Sequence, residues 1–547
     1  MLAVPLGALA QGSTWQTATP LNNGGTGTGS LDGNSQDAWF KIEVPEEGRV
    51  VLTETPGGTL SVQYVDICRP TAEGDVTSRS SIWPYENAGT LDVTDAGKGT
   101  YYIHVHRYSG AGSFTLSYQF TACPRSNDAE PNDNGGQGAL LENGKTVEGR
   151  MGYLDATDYR DGDDWYKIEV PSDGIVKLTY TPDTDFGLSM QHIDFCWLNN
   201  EGSYVSRTSI WPYDNKGELI VTDAGVGTYY IRLHRYSGHG GYQLRYDFTP
   251  QRYGNDSEPN DNFIQGEEIT IGQTIQGHMG YLDATDYRDR DDWYKIVVPQ
   301  DGTVKLAFSP NQEFDLSMQY IDFCWLNTEG SAVSRRSIWP YNNTDTLTVA
   351  DAGVGTYYVR LHRYSGHGGY TLKYIFQPNN YRNDGEPNNE LEQATPLEVN
   401  SNITAHLGYL DANDQRDGDD WFKLETDNAA MFIGVEYARD TTTTLSVQYI
   451  DIVKKKGDQT QAVTTIWPYE TATGQLTVND IDEAAEYYVH VHRYSGNGGY
   501  SLTYGALERM ETSMVLSSAP RWSPIVVPPS FSQMAPASIC SPPCCSI

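Results

Sequence analysis

At 547 residues the chain is too long for one hydrophobic core, and its 72 acidic against 37 basic residues leave a net charge of −35. That balance repels nucleic acid and anionic membrane and attracts divalent cations. Gly, Tyr, Thr and Asp are abundant and long apolar runs are missing, so short strands with polar turns are expected, and no stretch approaches the ~18 apolar residues of a membrane span.

Residues Met1–Ala10, followed by Gln11-Gly12, resemble the end of a secretory signal with an Ala8-Leu9-Ala10 cleavage site, although a basic leading region is missing. An arbitrary start is the alternative reading of residues 1–12. From there the chain repeats. Trp165, Trp293 and Trp421 stand 128 residues apart and Trp39 lies 126 before the first, which marks four units at about 13–122, 128–249, 256–377 and 384–504. Polar joints precede the last three: Asp128-Ala129-Glu130-Pro131-Asn132-Asp133, Asp256-Ser257-Glu258-Pro259-Asn260-Asp261 and Asp384-Gly385-Glu386-Pro387-Asn388-Asn389. No such joint precedes the first.

Cys68, Cys196 and Cys324 recur at one position of the repeat, where unit four has Val453, so they read as small core hydrophobes rather than as a disulfide framework. In unit two, alternation and turn signals predict eight strands near 145–153, 164–170, 174–181, 187–197, 204–212, 217–222, 228–236 and 241–249. Pro171–Gly174 and Ala224–Gly227 are expected to be hairpin turns. Alternation sends Tyr229, Ile231 and Leu233 to the core and Tyr230, Arg232 and His234 to the opposite face. The expected fold is all-β: four tandem antiparallel β-sandwiches of jelly-roll type with almost no helix. Residues 505–547, rich in Ser and Pro and holding Cys540, Cys544 and Cys545, are expected to be disordered.

Three repeated motifs carry candidate chemistry. The loop at 152–165, with copies at 280–293 and 408–421, crowds Asp155, Asp158, Asp161, Asp163 and Asp164 within ten residues, which repel one another unless solvated or bridged by a cation. The second motif is Ile-Trp-Pro-Tyr, which holds Trp83 and Tyr85, Trp211 and Tyr213, Trp339 and Tyr341, and Trp467 and Tyr469. Such rings at a strand end can stack on sugars or anchor a partner chain. The usual burial of Trp favours instead a corner with Trp in the core and Pro ending the strand. The third is His-Arg-Tyr-Ser-Gly. His104 with His106, and His490 with His492, stand two apart on one strand face, a spacing that can chelate a transition metal. Units two and three carry Arg232 and Arg360 in place of the first His, which weighs against a metal. Tyr230, Arg232, His234, Arg360 and His362 then read as a ligand surface beside the Trp-Pro-Tyr turn.

Taken together, the Glu-Pro-Asn-Asp joint, the strand at 163–171 and the strand at 227–233 resemble the bacterial pre-peptidase C-terminal domain family, across all four units. These domains are similar to the collagen-binding domains of clostridial collagenases. The resemblance implies β-sandwiches found beside secreted proteases or in surface proteins, with calcium ligands in the linker before the sandwich. It assigns Glu130, Asn132 and Asp133 with Asp161 and Asp164 in unit two, and Glu258, Asn260 and Asp261 with Asp289 and Asp292 in unit three. In unit four it assigns Glu386 and Asn388 with Asp417 and Asp420. The adjoining Asp163, Asp291 and Asp419 are counted with each set. Asn389 removes a charge and should weaken the fourth site, while unit one, with only Asp32 and Asp37 and no joint, should have none. Ca2+ takes six to eight oxygens, which a joint and a loop together can supply, and would pin the joint to the sandwich.

No Gly-x-Ser-x-Gly elbow, His-Glu-x-x-His helix or Cys-His pair occurs, so no enzyme is expected. The expectation is a secreted or cell-surface calcium-binding array for adhesion to extracellular polysaccharide or matrix protein, with repeated weak sites adding avidity. A filament in which copies of the chain join head to tail is the rival. A third reading is the targeting region of a secreted protease whose catalytic domain lies outside this chain.

Overall fold

The computed structural model describes residues 11–125, 128–254, 256–381, 384–426 and 430–508; the expected signal segment up to Ala10 and the tail from 509 lie outside the described residues. Unit one contains β1 (Thr19–Pro20), β2 (Thr26–Leu31), β3 (Asp37–Val44), β4 (Gly48–Pro56), β5 (Ser61–Pro70), β6 (Val76–Ile82), β7 (Gly89–Ala96), β8 (Gly99–Ser109) and β9 (Gly112–Ala122). They form a five-stranded sheet ordered β1-β3-β8-β5-β6 and a four-stranded sheet ordered β2-β9-β4-β7, and the other three units repeat both orders. Helix among the described residues is confined to 3-10 turns at Trp15–Thr17 and Leu391–Gln393. The expected four tandem antiparallel β-sandwiches are therefore present. The ninth strand, missed in the sequence, is two or three residues long and pairs in parallel with β3 or its counterpart. It is too short to display any alternation.

Each sandwich closes around its own core because alternate strand residues are apolar. On the counterpart of β8 in unit two, Tyr229, Ile231 and Leu233 are fully buried, as their alternation predicts. Each such side chain contributes roughly 1.5–3 kcal/mol. Cys68, Cys196 and Cys324 are free thiols, each pushed up to about 12 by burial.

Two turns differ from expectation. Pro171–Gly174 and Ala224–Gly227 are not hairpins, because each hands the chain from one sheet to the other. A glycine turn fixes a reversal of direction but not which sheet receives the next strand. These turns instead form the end of the unit on which its successor sits.

At the first junction Leu154 forms a parallel bridge with Ala96; Gly97 N donates to Leu154 O at 2.8 Å, and Leu154 N to Asp95 O at 3.0 Å. The Tyr101 hydroxyl lies 3.0 Å from Leu154 O, and Ala156 packs into the core of unit one. Asp95 is gripped from both sides, by Arg79 of its own unit at 2.7 Å and Arg160 of the next at 2.9 Å. The arrangement recurs with Leu282 and Ala284 against Asp223, Arg207 and Arg288, and with Leu410 and Ala412 against Asp351, Arg335 and Arg416. A second contact joins Arg150 to Glu47 at 2.7 Å, His278 to Asp173 at 3.4 Å and His406 to Asp301 at 3.2 Å.

Among its described residues unit four shows no corresponding open end. Val463 stands where the others have Arg79, Arg207 and Arg335. Its own Ile481 and Ala485 pack on its core, and Asp482 N donates to the Tyr487 hydroxyl at 3.0 Å. In unit one the loop between β2 and β3 is only Asp32–Gln36 and carries no docking segment.

Candidate functional site

The acidic loop divides its carboxylates among three tasks. Asp155 accepts Thr157 N at 2.8 Å and Tyr159 N at 2.9 Å, which shapes the docking turn, and Asp158 pairs with Arg69 of unit one at 2.6 Å. Asp161 and Asp164 turn inward to meet the joint. Asp163, Asp291 and Asp419, counted as metal ligands from the sequence, do not join them. The strand begins at Asp163, so adjacent residues point to opposite faces. Asp163 Oδ1 instead accepts Arg232 Nε at 2.7 Å, with His234 Nδ1 at 2.8 Å.

The joint is stitched across the sandwich by backbone bonds. Trp165 N donates to Asn132 O, Trp293 N to Asn260 O and Trp421 N to Asn388 O, each at 2.9 Å. This sinks Asn132, Asn260 and Asn388 to zero exposure beside the equally buried Asp164, Asp292 and Asp420. Carboxylate atoms of Asp128, Glu130 and Asp164 come within 4.8 Å of one another. Asp128, Asp256 and Asp384 were not assigned from the sequence; their signal is a constant place two residues before the joint Glu. Asp133 and Asp261 sit at the rim, accepting the Tyr159 and Tyr287 hydroxyls at 2.6 and 2.7 Å.

The electrostatics of this cluster are those of crowded, buried carboxylates. Burial, then Glu130, Asp133 and Asp128, push Asp161 up to about 9, and burial, Asp161 and Glu130 hold Asp164 well above the carboxylate range. Burial and Asp128 push Glu130 up to about 7, and Glu258 and Glu386 are pushed to about 7 in the same way. Buried polar atoms ordinarily find partners. Yet Oδ1 of Asp128, Asp161 and Asp164 and both amide atoms of Asn132 have none, and the pattern repeats at Asp256, Asn260, Asp289 and Asp292. In unit four it persists at Asn388, Asp417 and Asp420. Asp128, Glu130, Asn132, Asp161 and Asp164 form an all-oxygen donor set, which fits a hard cation of the calcium class.

Units four and one depart from this pattern. With its amide oriented to donate, Asn389 reaches Asp417 Oδ1 at 2.9 Å, so it occupies a carboxylate oxygen. In unit one Ala38 stands in place of Asp164, and the Gln11 amide bonds Ser30 instead of any acid.

The Trp-Pro-Tyr turn reverses the expected buried corner. Ile82 and its counterparts end the strand against the core, so the next side chain points outward. Trp83, Trp211 and Trp339 are 60% exposed and Trp467 57%. Tyr85, Tyr213, Tyr341 and Tyr469 each hold positive φ, between 38° and 56°, in a backbone pair with the neighbouring strand. Each sets its ring edge-on to Tyr108, Tyr236, Tyr364 or Tyr494, at 5.5–6.2 Å. Those last four tyrosines, 60–64% exposed, went unassigned in the sequence although they lie within the His-Arg-Tyr-Ser-Gly motif. In unit four Trp467 meets Tyr449, which stacks on His492, so patch and outer strand face are continuous. Tyr230 is set apart from the patch, packed against Tyr204 at 4.7 Å. Arg360 and His362 both engage Asp291.

No family model matches the chain. Among solved structures it is similar to the pre-peptidase C-terminal domain of a Bacillus anthracis collagenase, at 17% identity over 20% of this chain and 94% of that one, TM-score 0.17. It is also similar to the PBSX exported protein XepA, at 8% identity over 42% and 85%, TM-score 0.14. A third is the tandem CBM22 domain of Paenibacillus barcinonensis Xyn10C, at 6% identity over 39% and 82%, TM-score 0.15. At these scores none of the three bears on what this chain does.

Proposed function

We propose that the chain is a secreted, non-catalytic stack of β-sandwiches of the pre-peptidase C-terminal type. Calcium fixes its joints, and its aromatic patches bind extracellular polysaccharide. The patch is the observation that carries this reading: an exposed Trp beside a Tyr in left-handed backbone, present in all four units. A left-handed tyrosine costs on the order of 1–3 kcal/mol, and all four units carry it, held by a backbone pair with the neighbouring strand. Flat rings presented outward suit the faces of sugar rings, and four copies multiply a weak affinity. The orphaned oxygens at the three joints support calcium as the element that holds the patches in a fixed order.

The test is a screen of the full chain against glycans and matrix proteins, with and without calcium. Retention on glycan, weakened several-fold by Trp211→Ala with Trp339→Ala, is expected. Retention on matrix protein alone would move the ligand class, and no binding in either arm would sink the adhesive reading. The filament reading is disfavoured by unit four, whose docking groove is filled by its own Ile481 and Ala485.

A further inference from the structure

The outer face of the five-stranded sheet carries a cluster that the calcium joints and the aromatic patches leave unexplained. In unit one, His104 Nε2 lies 2.7 Å and His106 Nδ1 2.6 Å from the same atom, Asp37 Oδ1. In unit four, His490 Nε2 and His492 Nδ1 lie 2.7 and 2.5 Å from Asp419 Oδ1. The two histidines are alternate residues of one strand, and the aspartate stands directly across on its antiparallel neighbour. Both rings are clamped. Trp39 stacks on His104 and Trp421 on His490, each at 4.0 Å, while Tyr64 stacks on His106 at 4.8 Å and Tyr449 on His492 at 4.7 Å.

Units two and three show what this position demands. There Arg232 and Arg360 replace the first histidine, and Nε of each bonds the same aspartate oxygen at 2.7 Å. The guanidinium also lies over Trp165 or Trp293, the rings that face histidine in the end units. In the middle units, therefore, the protein itself supplies a permanent cation at this carboxylate. In the end units it supplies two imidazole nitrogens converging on one carboxylate oxygen, with the aspartate 35–40% exposed. Two histidines and a carboxylate with an open side form the donor set of an imidazole-preferring divalent ion that keeps a position for water or ligand.

We propose that units one and four each bind a zinc-class transition-metal ion through Asp37, His104 and His106, and through Asp419, His490 and His492, and that units two and three carry arginine in its place. The sites differ from the calcium joints in face and in the units that hold them. They pair two histidines with one carboxylate, where the joints of units three and four place a single histidine, His278 or His406, beside two acids. In unit four the site adjoins the aromatic patch through Tyr449, which stacks on His492 and meets Trp467.

The internal comparison supplies the control, because arginine already occupies this position in two folded units. The full chain in excess calcium is titrated with Co2+ and followed by visible absorption, then with competing Zn2+. Expected are two Co2+ per chain with an absorbing nitrogen-containing coordination sphere, one in His104→Arg, and none at these positions in His104→Arg with His490→Arg. Thermal melting and calcium uptake should stay unchanged in both variants. Absence of Co2+ uptake by the native chain would overturn the proposal and leave a metal-free His-Asp-His hydrogen-bond cluster. A stoichiometry that survives the double replacement would also overturn it.

Discussion

Replacing Arg207 by Val transplants into unit two the residue that unit four carries at this position, and it should uncouple unit two from unit three. Arg207 pairs with Asp223 at 2.6 Å and donates to Asp223 O at 2.9 Å and to Leu282 O, across the junction, at 3.3 Å. Its side chain is only 9% exposed, so these bonds are largely shielded from water. A charge-assisted bond contributes about 1.5–3 kcal/mol, but the bonds share one group and Asp223 retains Arg288 at 2.8 Å, so the total loss is about 3 kcal/mol. For a unit of this size that lowers melting by on the order of 10 °C. Calorimetry of the full chain should show unit two separating from the rest. The exposed Arg336→Val serves as control and should change nothing. An unchanged profile in Arg207→Val would refute the assignment of this arginine as a coupling residue.

Acid should have the same effect. Burial raises Asp223, but Arg207 and Arg288 outweigh it and hold its carboxyl below the ordinary value. A depressed folded value gives stability that is present above the unfolded value of ~3.9 and lost as pH falls through the folded one. The coupling therefore survives at pH ~5 and fails in stronger acid.

Chelation should lower the melting temperature and loosen the joints, more at pH ~8 than at pH ~6. Without a cation the raised Glu130 and Asp161, at about 7 and about 9, make stability fall as pH rises from about 4 through about 9; equal melting with and without chelator at pH ~8 would count against the metal centre. Glu54 is fully buried with both carboxylate oxygens unpartnered and is pushed up to about 7 by burial, while unit three carries Phe308 at the equivalent place. Glu54→Phe should stabilise unit one by about 3 kcal/mol above pH ~7, a gain that shrinks as pH falls toward ~4.5 and the native carboxyl protonates in both states, read by denaturation at several pH values. Tyr213→Asn should leave stability within about 1 kcal/mol, since Asn accepts left-handed backbone more readily, while weakening retention on ligand; a loss of about 3–5 kcal/mol would show a core residue instead.

The sandwiches were legible because strand alternation and turn residues are local signals, and Tyr229, Ile231 and Leu233 fell where alternation sends them. Partition between sheets is not local, which is why Pro171–Gly174 and Ala224–Gly227 read as hairpins. Acid density in the loop pointed to a cation but could not separate Asp163 from Asp164, whose opposite orientations depend on where the strand begins. The docking role of Leu154 and Ala156 was invisible for another reason: a short apolar pair in a polar turn has no meaning until its groove is known. Of the two readings of Trp211, the buried corner was favoured because burial statistics for tryptophan describe cores. The preceding Ile210 takes the inward position, however, and the ring is presented to solvent, as the ligand-binding alternative had it.

The ends of the stack yield the sharpest consequence of that groove. Each of the three junctions needs a donor loop such as Gly280–Asp292 and an open acceptor such as Asp223–Gly227 with its Arg207. In the whole chain every described donor loop is engaged, and unit four, with Val463, Ile481 and Ala485, offers no acceptor among its described residues. A fragment of units two and three, residues 128–377, keeps its own cores yet exposes the donor loop of unit two and the acceptor of unit three. Such complementary, unlike surfaces join copies head to tail and propagate unless the rotation between copies closes a ring. Sedimentation should therefore show the fragment associating head to tail with rising concentration while the full chain stays monomeric. A monomeric fragment would mean that the junction contacts are too weak to act without a covalent joint. Fibres from the full chain would mean that the filled groove of unit four opens, and would restore the filament as its function.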